Sequence, residues 1–471
     1  MRASRFNIVV QVSTRDEVIV FNSLRGALTC WTTDEYRGVT KFLADRTPAA
    51  SDDMEQQLLA SLCENGYVIS DDEDEMEVVR QRKHLGMADE NRLDVIVMPN
   101  MFCNFRCPYC YEQHRPGSLM SDETESRIIH FLDHTVPGFK VLLLSWFGGE
   151  PLLNYPRILS ITEAAKRACQ RNGVALITHL TTNGYLLTEG VAKELIDCGI
   201  QNYQITIDGP PAIHDRTRVL RSGGGTFATI FQNIHDLVRA DSRVRVSLRV
   251  NFNHTNLDSI PELLALFSPD VRPALRVVFE PIFGERCWSA TANLTASAIS
   301  SRTAAFYDLA RTLGYDVVLG GLPVGQLIYC YAERKNQYIF NYNADIFKCS
   351  VGIFAAEDRF GFLTDDGSVI QDGTRLKQWF DMESIAEQCQ TCPVLPLCMG
   401  GCRKARMESG ATGTFCKLVP TNASYTLKSI AFGTFESELA RLCGPPEMGN
   451  RSKPYASDPE AEERIRDTSD C

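Results

Sequence analysis

Three cysteines fall within eight residues, in the run Cys103-Asn-Phe-Arg-Cys107-Pro-Tyr-Cys110. Thiolates wrapped around so tight a loop suit three corners of an iron–sulfur cubane, with one iron left open for another ligand. Structural zinc closes with four ligands, and His114 is the one nearby candidate for a fourth. A second group is spread further apart: Cys330, Cys349, then Cys389-x2-Cys392-x5-Cys398-x3-Cys402, and Cys416. A reducing cytosol disfavours a disulfide framework, so both groups read as metal ligands, with a pair of zincs as the alternative for the second. Cys63, Cys169 and Cys198 lie singly in helical patterns, where a buried thiol packs as a small hydrophobe.

Composition narrows the setting. Hydrophobic residues at 44% and charged residues at 23% describe a globular protein, and 471 residues are too many for one small core. A net charge of -11 opposes a nucleic-acid footprint, which needs a concentrated basic face. No apolar run approaches the ~20 residues of a membrane span, and Met1–Val12 lacks the pattern of a signal peptide. The expected location is the cytoplasm, with neither membrane nor nucleic acid as partner.

The elements that must position the cysteines are legible. Strand-like runs occur at Leu93–Met98, Val141–Phe147, Ala175–Thr181, Tyr203–Ile207, Val244–Val250 and Leu275–Pro281, with helical segments between them. Ser121 is an expected N-cap for the helix carrying Ile128, Ile129 and Leu132. Such alternation implies parallel strands joined by helical crossovers, as an open doubly wound sheet or a partial barrel. Both put reactive groups in loops beyond the strands' C-terminal ends, where Cys103 falls. Ahead of this, residues 1–85 read as a small α+β unit. Its strands are Asn7–Val12 and Val18–Phe21, Asn22–Gly26 reads as a turn between apolar stretches, and its helices lie at Thr33–Leu43 and Met54–Cys63. A Gly66–Ile69 strand follows, then an acidic run, Asp71–Glu77, expected as a solvated boundary. Residues 325–430 are turn-rich with few apolar runs, so they need staples that clusters would supply. The tail 444–471 is expected to be disordered.

The Cys-x3-Cys-x2-Cys spacing, with an aromatic residue before the last cysteine, resembles the signature of the radical S-adenosylmethionine (SAM) superfamily. Three further stretches match in order, each beyond a strand. They are Gly148-Gly149-Glu150-Pro151, then Thr182-Asn183-Gly184, then Ile207-Asp208-Gly209-Pro210 with His214, Asp215 and Arg218. The resemblance implies an α/β fold, a partial (β/α)6 TIM-like barrel over residues 90–315. It implies a catalytic [4Fe-4S] cluster on Cys103, Cys107 and Cys110, whose open iron SAM chelates before reductive cleavage to a 5′-deoxyadenosyl radical. Gly148, Gly149, Glu150, Pro151, Asn183, Thr206, Asp208 and Arg218 become candidate SAM contacts. For Glu150, capping a helix N-terminus is the competing role. For Thr206 and Arg218, a surface role competes.

The second group resembles the SPASM extension with two auxiliary [4Fe-4S] clusters, making three in all. By motif position Cys330, Cys349 and Cys402 would ligate one, and Cys389, Cys392, Cys398 and Cys416 the other. Ala344 stands where the family usually has glycine, with Asn343 beside it able to make the turn. No cysteine lies between Cys330 and Cys349, so the first auxiliary cluster lacks an evident fourth ligand; Cys287 is a distant candidate.

The SPASM branch mostly modifies peptides or proteins. Residues 1–85 loosely resemble the element that captures leader peptides of ribosomally made natural products along a sheet edge; a purely structural cap on the barrel is the alternative. The implied activity is a maturase that abstracts hydrogen from a ribosomal precursor peptide and installs a thioether, carbon–carbon or carbon–oxygen crosslink. A flavodoxin- or ferredoxin-type donor would supply electrons. An anaerobic sulfatase-maturating enzyme is the alternative, against which Ser350 stands where that group carries an aspartate. A non-catalytic iron–sulfur electron carrier is another.

Overall fold

The computed structural model describes residues 1–409 except 13–15, 45, 47–48, 113, 283–295, 318–324, 326, 353, 382–384 and 386. Cys287, Cys416 and the tail 444–471 therefore lie outside the described residues. The chain divides into two compact units: Met1–Ala88 with Leu319–Arg334 and Asp381 onward, and Asp89–Val318 with Lys335–Phe380.

In the first unit, β1 (Arg2–Ala3) pairs antiparallel with β5 (Val68–Ile69). An antiparallel meander comprises β2 (Asn7–Val12), β3 (Glu17–Asn22) and β4 (Leu28–Thr32). The central strand is apolar on both faces, and both are covered. Ile19 and Phe21 join Ile8, Val10 and Val12 against Val394 and Leu397, while Val18 and Val20 pack with Phe42, Leu62 and Tyr67. Three helices follow: α1 (Thr33–Val39), α2 (Asp53–Glu64) and α3 (Glu75–Met87). Thr32 and Glu35 form a capping box at α1, which ends at Val39, short of the expected Leu43.

Three elements here go beyond the sequence expectation, β1, β4 and α3. The turn at Asn22–Gly26 leads straight into a third strand, because Leu28 returns to pair with Phe21. The acidic run is only partly a solvated boundary. Asp74 caps α3 by accepting from the Met76 and Glu77 amides, and Glu75 is buried, accepting from the Ser4 hydroxyl and the Arg5 amide with Arg2 and Arg5 beside it.

The second unit is built on a ten-stranded sheet. Its parallel part comprises β6 (Arg92–Val97), β7 (Val141–Trp146), β8 (Ala175–Thr182), β9 (Asn202–Thr206), β10 (Arg245–Phe252) and β11 (Leu275–Pro281). Each pairs in parallel with the next in chain order. The order never reverses, so there is no switch point of the doubly wound kind, and the sequential parallel order is consistent with a TIM-like partial barrel. On the far side of β6 the sheet continues with β12 (Gln337–Phe340), parallel to β6. Then β13 (Asp345–Phe347), β14 (Gly361–Leu363) and β15 (Val369–Gln371) run antiparallel.

Helices α4 (Asp122–Thr135), α5 (Tyr155–Asn172), α6 (Glu189–Cys198) and α8 (Phe227–Ala240) pack in succession along the sheet, and the short α7 (Pro211–Thr217) precedes α8. Ser121 caps α4 as expected, accepting from the Thr124 amide. Along β7 the period of two is clear: Leu142, Leu144 and Trp146 are fully buried in the main core, and the Trp146 indole donates to Thr162 on α5. The alternate positions are half-buried and increasingly polar, including Ser145, His179, Thr181, Gln204, Ser247, Arg249 and Asn251. One face of the strands thus makes a core, and the other lines a partly open polar interior.

Candidate functional site

The cysteine loop begins six residues after β6 ends, and its neighbours are the loops that follow the next three strands. Asn100 organises the first contact. Its side chain donates to the Glu150 carbonyl (2.8 Å) and accepts from the Phe102 amide (3.0 Å). The Glu150 amide in turn donates to the Phe102 carbonyl (2.9 Å). This close approach explains the glycines. A Cβ on Gly148 would lie 2.4 Å from the Asn100 carbonyl oxygen, and one on Gly149 would lie 2.3 Å from that of Phe102. Gly148 also holds a left-handed φ of 120°. The cysteine loop itself therefore requires both glycines, whatever else approaches them.

Glu150 is fully buried and joins two loops. It caps the short turn Pro151–Asn154 through the Leu152 amide (3.0 Å), and accepts from the Thr182 hydroxyl (2.7 Å) and the Asn183 amide (2.7 Å). Burial raises its pKa, opposed by those donors. Asn183 continues the chain of contacts, donating to Asn104 Oδ1 (2.7 Å) with Cys103 Sγ at 3.8 Å. The Phe105 amide donates to the same sulfur at 3.4 Å. Burial, then the nearby Glu150 charge, pushes the Cys103 thiol up to about 12. Its thiolate form thus needs an adjacent cation, which iron would supply. None of Cys103, Cys107 and Cys110 is in a disulfide. Their donor chemistry fits an iron–sulfur group.

The loop's far side is clamped by the segment after α7. Phe105 bridges to Leu220, the Arg221 guanidinium donates to the Cys103 carbonyl (2.8 Å), and that guanidinium lies over the Phe102 ring at 5.2 Å. Tyr109 donates to the Asp208 carboxylate and accepts from Arg218 (2.9 Å), whose guanidinium lies 5.7 Å from the Phe105 ring centroid. Asp208 is buried. It accepts from the Asn251 amide (3.1 Å), and Asn256 donates to its carbonyl (2.7 Å). Burial raises its pKa, opposed by Arg218.

His214 is a brace. It is fully buried, its Nδ1 accepts from the Asp208 amide (3.3 Å), its Nε2 meets the Thr226 hydroxyl (3.1 Å), and burial holds its pKa well below the usual range. Asp215 caps α8 through the Thr226 (2.7 Å) and Phe227 (2.9 Å) amides. A cleft of about 280 Å³ opens beside Tyr109 and Asp208, walled also by Ile213, Asn253 and Asn256.

The sequence-expected residues therefore group unevenly. Gly148, Gly149, Glu150, Pro151 and Asn183 surround the cysteine loop, whereas Asp208 and Arg218 meet at Tyr109. Thr206 is buried at the end of β9. His114 lies close to Cys110, Nε2 to Sγ 3.4 Å, yet no three His, Cys, Asp or Glu side chains among the described residues converge as a single-ion site. Sequence reasoning missed the bracing roles of Asn100, Asn104, Tyr109, Thr182 and Arg221. Asparagines beside a turn carry no signal of their own, since their commonest use is to hydrogen-bond the local backbone.

Residues 97–267 match the model of the radical SAM superfamily. The chain carries a radical SAM domain. The domain's relatives are enzymes of several kinds. Fe-coproporphyrin III synthase of Methanosarcina barkeri is 27% identical over 49% of this chain, and the match spans 54% of that protein. PqqA peptide cyclase of Rhodopseudomonas palustris is 24% identical over 72% of this chain and 88% of that protein. Among solved structures, native anSMEcpe with bound AdoMet superposes over 74% of this chain and 98% of its own, with a TM-score of 0.57 and 17% identity. Streptococcus suis SuiB bound to precursor peptide SuiA covers 87% and 97%, with a TM-score of 0.51 and 12% identity. The large parallel sheet with its flanking helices is a fold shared with these solved structures. No helix among the described residues is long and apolar enough to cross a membrane.

The remaining cysteines are placed as follows. Cys330 precedes the turn Tyr331–Glu333, and Cys349 follows β13 in the other unit. Cys389, Cys392 and Cys398 lie on consecutive turns, with the Cys392 amide donating to the Cys389 carbonyl (3.1 Å). Cys402 immediately precedes the helix Arg403–Ser409. In the turn before β13 it is Ala344, not Asn343, that takes the left-handed conformation (φ 68°). Asn341 braces that turn by accepting from the Asn343 and Asp345 amides.

Proposed function

We propose that this chain is a radical SAM maturase acting on a ribosomally made precursor peptide and installing a crosslink, whether thioether, carbon–carbon or carbon–oxygen. The observation that carries the reading is the relation to PqqA peptide cyclase, which extends over 72% of this chain, far beyond the radical SAM domain. Cys103, Cys107 and Cys110 hold the catalytic cluster, and Cys330, Cys349, Cys389, Cys392, Cys398, Cys402 and Cys416 hold two auxiliary ones. When bound, the catalytic cluster and SAM supply a 5′-deoxyadenosyl radical for hydrogen abstraction.

The chain's own residues would then act as follows. Asn100, Gly149 and Glu150 fix the cysteine loop against the second and third motif loops, while Arg221 holds it from the other side. Tyr109, Asp208, Asn253 and Asn256 shape the cleft that takes part of SAM, with Arg218 and His214 keeping Tyr109 and Asp208 in place. The polar inner face of β7–β10 offers hydrogen-bonding partners to a peptide backbone. In the first unit, β2 and β4 each pair only with β3 among the described residues, so each has an outer edge on which an extended leader can add a strand. A flavodoxin- or ferredoxin-type protein would serve as electron donor, in the cytoplasm.

The test is anaerobic reconstitution with iron, sulfide and dithionite, then incubation with SAM and the short peptide encoded beside the gene. Formation of 5′-deoxyadenosine together with a peptide lighter by two hydrogens supports the reading. 5′-Deoxyadenosine with an unaltered peptide, and no amide protection on β2 or β4 in hydrogen exchange, counts against a peptide substrate.

A further inference from the structure

One cation on the polar face of the parallel sheet has no anionic partner. Along β10, Val246, Leu248, Val250 and Phe252 are buried in the main core, so Ser247, Arg249 and Asn251 stand on the opposite face. The six parallel strands carry four arginines, Arg92, Arg245, Arg249 and Arg276, all at positions of that face. Arg92 pairs with Asp94 (2.5 Å) and Arg276 with Asp316 (3.0 Å), while Arg245 donates to the Ser242 and Val244 carbonyls (both 2.8 Å). Arg249 is half-buried and differs from the other three. Its Nε donates to Asn251 Oδ1 (2.9 Å), and it forms no ion pair among the described residues, Glu280 of the adjacent strand included.

The bond from Nε fixes the plane of the guanidinium and leaves its two terminal nitrogens for a planar, two-oxygen anion. A half-buried charge gains more from such a partner than an exposed one, because part of its water is already excluded. Its place in the sheet is close to the cysteine loop. The Arg249 carbonyl accepts from the Ile207 amide (3.0 Å). Two residues on, or about 7 Å along the strand, the Asn251 amide donates to Asp208, which also accepts from the Tyr109 hydroxyl. The cleft assigned to SAM is walled by Tyr109, Asp208, Asn253 and Asn256, and Arg249 is not part of that wall.

We propose that Arg249 binds the side-chain carboxylate of an aspartate or glutamate in the substrate peptide, and so makes an acidic residue a requirement of the segment that is modified. The inference rests on the peptide reading above and narrows its substrate class. Gln204, Ser247 and Asn251, which flank Arg249 on the same face, suit the amides of any peptide and select nothing. The fixed positive charge does select. A carboxylate is the peptide side chain that meets both terminal nitrogens at once, whereas an amide or hydroxyl meets one and leaves the charge unbalanced.

The experiment is steady-state kinetics of the reconstituted full chain with SAM and the short peptide encoded beside the gene. Copies of that peptide with each aspartate or glutamate replaced singly by asparagine or glutamine are then compared. Arg249→Gln is expected to lower kcat/KM for the native peptide roughly ten- to hundredfold, chiefly through KM, and Arg249→Lys to lower it less. One neutralised peptide should lose as much with the unsubstituted enzyme, and nothing further with Arg249→Gln. The peptide arm needs no variant enzyme, so a misfolded Arg249→Gln still leaves the acid requirement open to disproof. Losses that simply add would overturn the inference and leave Arg249 a structural residue. A native peptide that is modified yet tolerates every neutralisation would overturn it too. A KM for SAM that rises in step with that for the peptide would assign the arginine to the SAM carboxylate instead. Failure of the unsubstituted enzyme to alter any of the peptides would overturn the peptide reading itself, and the inference with it.

Discussion

The two cysteine-bearing regions are braced in opposite ways. The Cys103 loop is held by groups in the loops beyond successive parallel strands of one sheet. Asn100 meets Glu150, Glu150 meets Thr182 and Asn183, and Asn183 returns to Asn104 beside Cys103. The Cys389–Cys402 turns are held by residues 316 to 370 positions away in the hydrogen bonds that join them. Val394 and Leu397 cover the face of the β2–β4 sheet, Ser23 donates to the Pro393 carbonyl, and Lys83 reaches Met399. A site built at strand ends is held by neighbouring loops of the same sheet; a site built on another segment's surface borrows its scaffold.

That difference sets the order of expected effects. The largest is at the motif loop. Gly149→Ala sets a Cβ against the Phe102 carbonyl, and backbone cannot yield there as a flexible side chain would. It is expected to abolish 5′-deoxyadenosine formation and remove about four irons per chain by metal analysis, with circular dichroism unchanged. Next is Glu150→Ala, which strands three buried donors. A loss of roughly 3 kcal/mol in denaturant unfolding is expected, together with loss of the cluster.

Deleting the N-terminal segment is the corresponding cut at the second region. It would strip the cover from Val394, Leu397, Leu395 and Met399, so loss of auxiliary iron is expected along with any loss of peptide binding. Peptide-binding tests therefore need point substitutions on the exposed side, such as Val9→Asp, which is 46% exposed on β2. Retention of full auxiliary iron after deletion would erase the contrast between the regions.

The pH dependence is smaller. His214 is buried neutral, so its folded pKa lies below the unfolded value of about 6.5. Its contribution is present above that value and lost as pH falls below it, with a slope of at most ~1.4 kcal/mol per unit. Unfolding curves from pH 7.5 to 5 should show this slope, and His214→Gln should flatten it. The smallest effect is at the turn before β13. Ala344→Gly removes a left-handed strain of about 1 kcal/mol against a comparable entropy cost, so a change within ~0.5 kcal/mol is expected by thermal melting.

Legibility in the sequence follows the same division. The six parallel strands were readable because, with Thr178 of β8 the exception, each puts an apolar residue at every second position at least, and their boundaries match the observed ones to within two residues. Periodicity left the choice between a doubly wound sheet and a partial barrel open, since strand order is a property of pairing, and only the family resemblance pointed to the barrel. In the first unit β4 escaped notice: Leu28-Thr29-Cys30-Trp31-Thr32 is short and abuts a capping box, so it passes for the approach to α1. Helix α3 was obscured by the acidic run at its start, which doubles as its N-terminal cap. Lys83 looks like any helical lysine, and only packing reveals that it is buried. At the candidate site, residue types with chemistry were legible, but the asparagines and arginine that brace them were not, because their partners lie tens of residues away.

The most direct measurement compares 5′-deoxyadenosine released per chain, under dithionite and SAM, by the Cys389→Ala/Cys392→Ala variant and by Cys103→Ala. The account expects release to persist in the first, with iron lowered, and to vanish in the second. Release that survives in Cys103→Ala would contradict the assignment of the radical-generating cluster to the loop of Cys103, Cys107 and Cys110.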